Sequence, residues 1–237
     1  MDLEKKHFRG SKIRDIILGS QDGLVNVLGV VLGVAAATNS LSIILVAAFV
    51  TVFTESISMA AVAYTSTKAQ RDFYAAERAI EEEEIKANPK EEIGEIRQIY
   101  YEKGFRGKLL NQIVKKIISN DKVWVDTMIS EELHLPLKDS ANPASSFLTV
   151  LISAFIGALV PVLPFLLLPL QSAKIATIVF STIFLFLLGT IKARLTVGNV
   201  FVSGIESSFI GIVAAVVGYA IGHIFGLIFG VSAVIVG

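Results

Sequence analysis

The sequence predicts an all-α, polytopic membrane protein with five transmembrane helices and a helical insert between the second and the third. Three observations predict it. Of the 237 residues, 53% are hydrophobic and only 18% charged, and mean hydropathy is +0.67, too apolar for a water-soluble domain of this size. Apolar stretches of the roughly 20 residues that a hydrocarbon core demands recur along the chain. Charge is segregated: 28 of the 42 charged side chains fall between Lys68 and Asp139, and most of the others crowd the N-terminal region.

The expected spans are Ile13–Ala37, Ser42–Tyr64, Phe147–Leu170, Ala173–Ile191 and Val200–Val236. The first runs well past signal-peptide length with no cleavage site in view, so it reads as a retained span. The second continues without a breaker from Tyr64 to Ile85, where Asn88-Pro89 stops the helix. Glu91–Glu102 then carries Ile93, Ile96 and Ile99 three apart, Gly104 and Gly107 punctuate, and Leu109–Ser119 and Lys122–Leu133 repeat the amphipathic pattern. Pro161, Pro164 and Pro169 predict a kinked or broken third span. The fifth is longer than needed and reads as one long tilted helix. Its ridge of Gly218, Gly222, Gly226 and Gly230 suits close helix packing, with His223 in a packing or hydrogen-bonding role. The chain thus divides into helices 1–2 with an N-terminal tail (1–67), the insert (68–144) and helices 3–5 (145–237).

Lys5, Lys6, Arg9, Lys12 and Arg14 precede the first span, none separates the first two, Lys174 alone separates the third and fourth, and Lys192 with Arg194 separates the fourth and fifth. The positive-inside rule therefore puts the N-terminus and the insert in the cytosol, and five spans put Gly237 on the far side. Formal net charge is zero, which offers nucleic acid no basic field. There is no cysteine, which removes disulfides, thiolate metal sites and thiol catalysis together. With no phosphate-cradling loop, no His-rich centre and no paired Glu-x-x-His, an enzyme is not expected.

In the first span, Asp15, Asp22, Asn26, Gly29 and Gly33 return to one helical face that is polar or glycine while the rest is aliphatic. A carboxylate at membrane depth costs about 2.5–3.5 kcal/mol on insertion scales, so Asp22 should face protein or a water-filled path. Asp15 reads either as part of that path or as an interfacial partner of Arg14. Glu55 and Met59 lie one turn apart in the second span, an oxygen and a soft sulfur that suit a borderline transition metal, although a lone Met in a span commonly only packs. Glu206 reads equally as a relay or cation site and as an interfacial carboxylate.

The insert carries Glu77, Glu81 and Glu84 at i, i+4, i+7, Glu92 and Glu95 at i, i+3, and Met128 and Glu132 at i, i+4. Three such helices packed together would aim carboxylates at one another, which makes sense if cations or protons neutralise them. The competing reading is a solvated acidic face. It is weakened by the run Glu81-Glu82-Glu83-Glu84, which clusters although the insert has many basic residues to offer.

In its order of features the chain resembles the vacuolar iron transporter family, the plant and fungal vacuolar importers with their prokaryotic relatives. The resemblance covers nearly the whole chain. It rests on Arg14-Asp15-Ile16-Ile17-Leu18-Gly19-Ser20-Gln21-Asp22-Gly23-Leu24, on Ser58-Met59, on the Glu-rich stretch to Pro89, on Trp124-Val125-Asp126-Thr127-Met128 ahead of Glu132, and on Pro161-Val162-Leu163-Pro164-Phe165. It implies a homodimer of five-span subunits in a lipid bilayer, with a path between the two copies of span one and a cytosolic metal-binding domain. By position, Asp22 and Met59 match pore residues, and Glu81, Glu84, Glu92, Glu95, Met128 and Glu132 match the family's soluble metal ligands. The implied activity is export of Fe²⁺ from the cytosol in exchange for protons, with the metal as substrate and no prosthetic group. The implied location is the cell membrane of a prokaryote or the vacuolar membrane of a eukaryote.

Two positions depart from the family pattern. Thr51 stands where plant members carry a pore Glu, and Glu55 follows it on the same face one turn later; Ile129 stands where the pattern has a second Met, which makes Mn²⁺ a rival to Fe²⁺. The alternative from another class is a membrane-anchored metal buffer or sensor that does not transport.

Overall fold

The computed structural model describes residues 2–136, 142–196 and 198–229, with side chains from residue 12 onward. Every regular element among them is an α-helix: α1 (Asp2–Ala37), α2 (Leu41–Ala87), α3 (Pro89–Glu102), α4 (Gly107–Ile118), α5 (Asp121–Glu131), α6 (Pro143–Leu159), α7 (Leu163–Leu167), α8 (Leu170–Leu195) and α9 (Val200–Ile228). Two compact units result: one joins the chain up to Thr65 with the chain from Asn142, and the other is Ser66–Ala141. Gly230, Val236 and Gly237 lie outside the described residues, as do the side chains of Lys5, Lys6 and Arg9.

Among the described residues of the first unit, four helices are long and apolar enough to cross a membrane, within α1, α2, α8 and α9, and α1 is the most buried of them. The expected third span is the exception: it is not one helix. Pro161 has no N–H for the Gly157 carbonyl, which instead accepts from Val160 at 3.2 Å in a tighter turn, and α6 stops at Leu159 after 17 residues. The carbonyl of Pro161 itself accepts from Thr177 Oγ1 of α8 at 3.0 Å, so a polar group at the break is satisfied from a neighbouring helix. A second short helix, α7, follows before Pro169 leads into α8. Asn142 and Asn199 cap α6 and α9, each accepting from two backbone N–H groups. The long fifth span is one helix from Val200 to Ile228.

Small residues set how closely these helices pack. A Cβ at Gly157 would fall on the Ser20 carbonyl of α1, and one at Gly23 would sit 2.5 Å from the Ala154 carbonyl of α6. Gly218 and Gly222 of α9 face the Gly29 and Gly33 carbonyls of α1 in the same way, and Gly226 faces Ala37. Gly29 and Gly33 therefore serve helix packing, and the polar face expected along α1 divides: its glycine half meets α9 and only part of its polar half is left for chemistry. Around this contact, Val27, Val31 and Ala35 of α1 pack with Ile44, Ala48 and Val52 of α2 and with Ala158, Val162 and Phe165.

In the second unit the C-terminal part of α2 joins α3, α4 and α5 around Ile85, Ile96, Val114, Trp124 and Met128. α4 is the most regular amphipath, with Leu110, Val114 and Ile117 inward and Lys108, Lys115 and Lys116 exposed. Ile96 is completely buried, a contribution of about 1.5–3 kcal/mol. The α3–α4 turn needs Gly104 and Gly107, whose φ values are +97° and +59°.

Two glycines predict opposite outcomes. Gly157→Ala should lower the thermal midpoint of the detergent-solubilised protein, because the methyl meets backbone and overpacking costs about 1–3 kcal/mol. Gly94→Ala in α3, where nothing lies within 4 Å of the added carbon, should instead stabilise by about 0.5–1 kcal/mol. Thermal unfolding followed by size-exclusion chromatography checks both.

Candidate metal sites

In the first unit, α1 places Asp22 and Asn26 one turn apart, and α2 brings Glu55 to the same spot. Asn26 Nδ2 donates to Asp22 Oδ2 at 3.1 Å and to Glu55 Oε1 at 2.6 Å, so one amide bridges two carboxylates from two apolar helices. All three side chains are half-buried, as is Met59 one turn beyond Glu55. Thr51, one turn before Glu55, uses its hydroxyl on the Ala47 carbonyl at 2.8 Å. Two carboxylates, an amide and a nearby thioether are donors for a divalent cation of the Mn²⁺ and Fe²⁺ kind.

Asp22 also lines a groove of about 470 Å³ with Arg14, Gln21, Lys192 and Thr196 among aliphatic neighbours. Thr196 went unnoticed in the sequence, Gln21 counted there only as a member of the resemblance motif, and Lys192 only as a topogenic charge. Their signal was adjacency: Gln21 precedes Asp22, and Lys192 and Thr196 are one turn apart at the end of α8.

Asp15 and Glu206 do not join this cluster. Asp15 is buried and pairs with the exposed Arg14 at 3.6 Å, which favours the interfacial reading. Glu206 is exposed on the outer face of α9 and makes no contact with Asp22 or Glu55.

In the second unit the three helix faces do converge. Glu81 of α2, Glu92 of α3 and Glu132 at the C-terminus of α5 each offer a carboxylate oxygen, all within 4.8 Å of one another. Glu81 is 3% exposed and Glu92 6%, and Glu81 Oε1 is buried without a hydrogen-bond donor. Burial is the largest influence on Glu81 and holds its pKa up at about 7, reinforced by the charges of Glu92, Glu132, Glu84 and Glu95. Burial likewise lifts Glu92 to about 7, with Glu95, Glu132 and Glu84 adding and a hydrogen bond from Glu81 opposing. Glu132 is raised by burial, then by Glu95 and Glu84. Five carboxylates thus share one field.

Glu77 is half-exposed and is not among the groups that raise Glu81, Glu92 or Glu132. Met128 is fully buried in the apolar core with Ile85 and Ile96, one turn before Glu132. Within the run from Glu81 to Glu84 the side chains separate: Glu82 pairs with Arg78 at 3.2 Å, and Arg78 also holds Asp126 at 2.9 Å. Glu82, which was not among the candidate ligands, has a cation already beside it, so the run does not cluster wholly without basic partners.

Carboxylates whose pKa rises on folding bind protons more tightly in the folded state, so their contribution to stability is full below about pH 4.5 and is lost as pH rises through 7. The metal-free protein should therefore melt at a lower temperature at pH 8 than at pH 6, and millimolar Mn²⁺ should reverse the loss at pH 8 but not at pH 5. Glu81→Gln should remove only its own share of the pH dependence, the rest staying with Glu92 and Glu132, and should weaken Mn²⁺ binding by roughly tenfold or more. Differential scanning calorimetry with and without Mn²⁺ reads both effects.

Comparison with known proteins places this chemistry in a lineage. The chain is 32% identical over 219 residues to "Vacuolar iron transporter 1" of Arabidopsis thaliana, covering 92% of this chain and 88% of the relative. The protein of the same name from Tulipa gesneriana is 32% identical over 219 residues, covering 92% and 89%. The "Vacuolar iron transporter" of Plasmodium berghei (strain Anka) is 30% identical over 204 residues, covering 82% and 73%. Residues 13–223, a stretch that contains both carboxylate clusters, match the VIT family, to which this chain belongs.

Proposed function

We propose that the protein transports a divalent metal, Fe²⁺ first and Mn²⁺ next, out of the cytosol in exchange for protons. The observation that carries this reading is the pair of carboxylate sites in one chain, one on apolar helices and one in the insert. A membrane anchor has no use for Asp22 and Glu55 within a bilayer, where each ionised group is expensive. Both are useful to a carrier.

In this reading the chain crosses the membrane five times, with the broken α6–α7 segment as the third crossing. Basic flanks hold the N-terminus and the insert in the cytosol. The insert's carboxylates, poised near neutrality, exchange protons for metal and raise its concentration at the mouth. Asp22 and Glu55, with Met59 as a softer donor, then carry it through. Because a carboxylate in low dielectric binds either a proton or a cation, the same groups couple outward metal to inward protons. Two subunits facing each other across α1 would close the path from both sides, which makes the homodimer the working unit. The membrane is the cell membrane in a prokaryote and the vacuolar membrane in a eukaryote.

The rival is a membrane-anchored buffer or sensor, for which the insert alone suffices. Fe²⁺ uptake into proteoliposomes under an imposed pH gradient separates the two. Uptake should follow the gradient, saturate, and fall to background in Asp22→Ala and Glu55→Gln. Glu81→Gln with Glu92→Gln should raise KM about tenfold while leaving the maximal rate nearly unchanged, since a concentrating site affects capture more than passage. Metal binding without uptake under any gradient would establish the buffer or sensor instead.

A further inference from the structure

The geometry points to Asn26 as the specificity-determining residue of the intramembrane site, a third oxygen ligand to the metal that Asp22 and Glu55 hold. The inference rests on the transport reading for its consequence and on the local geometry for its substance. Asn26 lies between the two carboxylates, 3.1 Å from Asp22 Oδ2 and 2.6 Å from Glu55 Oε1. A divalent cation that both carboxylates ligate must therefore meet this amide.

The amide has two faces. With Nδ2 between two acceptors it donates to both and ties α1 to α2. Rotation of the amide plane by about 180° puts Oδ1 where Nδ2 was, with little change in shape, since the two atoms are nearly the same size. A cation repels the N–H side and attracts the carbonyl side, so metal entry selects the second orientation. The carboxylates lose a neutral donor as they gain the metal, and the metal gains a third oxygen. No backbone movement is required.

The donor set then becomes two carboxylates and one amide oxygen, with Met59 one turn beyond Glu55. Oxygen-rich shells of this kind suit Mn²⁺ and Fe²⁺, while Zn²⁺ favours nitrogen and sulfur. A neutral third ligand also leaves the site less negative than three carboxylates would, and a transport site must release what it binds. Asn at position 26 thus sets both the preference among metals and the ease of release.

The test uses the full-length chain in detergent with the insert's sites silenced by Glu81→Gln, Glu92→Gln and Glu132→Gln, and follows Mn²⁺ binding by electron paramagnetic resonance. Replacing the amide by a hydrocarbon, Asn26→Leu, should weaken the remaining Mn²⁺ binding about tenfold and narrow its advantage over Zn²⁺. Asn26→Asp keeps the shape and an oxygen but adds charge, so Mn²⁺ should bind at least as tightly. In proteoliposomes the same variant should lower the maximal rate about tenfold at an unchanged or lower KM, because release is slowed. Equal Mn²⁺ affinity in Asn26→Leu and its background overturns the inference, as does equal weakening by Leu and Asp, or a background chain with no Mn²⁺ site left. If the unmodified protein moves no metal while the residual site responds to residue 26, the transport reading fails and this inference stands. If the unmodified protein moves metal but binding is indifferent to residue 26, the transport reading stands and this inference fails.

Discussion

A carboxylate withdrawn from water must find a donor, a proton or a cation, and much of this molecule is arranged around carboxylates denied a fixed counter-charge. At α1 and α2 the substitute is a neutral amide, which satisfies Asp22 and Glu55 without neutralising them. In the insert it is the proton: Glu81 and Glu92 are buried beside other acids, and their pKa values near 7 record how poorly they tolerate ionisation together. The insert has the means to quench them. Arg78 sits one turn from Glu82 and is held by Glu82 and Asp126. What is withheld from Glu81 is a cation that cannot leave.

Backbone contact through small residues makes the first arrangement possible. Without side chains at Gly19 and Gly23 toward α6, and at Gly29 and Gly33 toward α9, α1 lies against both neighbours nearly backbone to backbone. That fixes its rotation, and with it the direction of Asp22 and Asn26. The break between α6 and α7 belongs to the same economy of polar groups. The chain at Pro161 leaves carbonyls in apolar surroundings; Val160 takes up that of Gly157, and Thr177 of α8 that of Pro161.

Much of this was legible in advance, and the reasons are specific. The helices of the insert followed from periodicity and from Asn88-Pro89, Gly104 and Gly107, because helix ends obey local rules of backbone geometry. Spacing put Glu81, Glu92 and Glu132 each on one face of its helix, and the packing of the three helices brought those faces together. Glu82 was read within a run lacking basic partners although Arg78 lies one turn before it; what sequence distance hid was Asp126, 48 residues from the same arginine. Glu77 stands apart from the three that meet, since i, i+4 spacing names a face without saying where along the helix the neighbours arrive. Pro161 announced a disturbed third span, but that its carbonyl would meet a hydroxyl of α8 was not legible.

By itself, then, the sequence determined what the local rules govern: helices, their ends, an apolar first unit with an acidic insert, and the residues able to hold a metal. Tertiary structure alone decided which of them meet. Asp22 and Asn26 come to Glu55 because glycines on α1 admit α6 and α9 and leave a polar strip for α2, whereas Gly29 and Gly33, on the face read as polar, became packing surface. Glu206, equally polar in sequence, stayed outside on α9. Spacing along a chain fixes the face of a helix, and only packing fixes what that face sees.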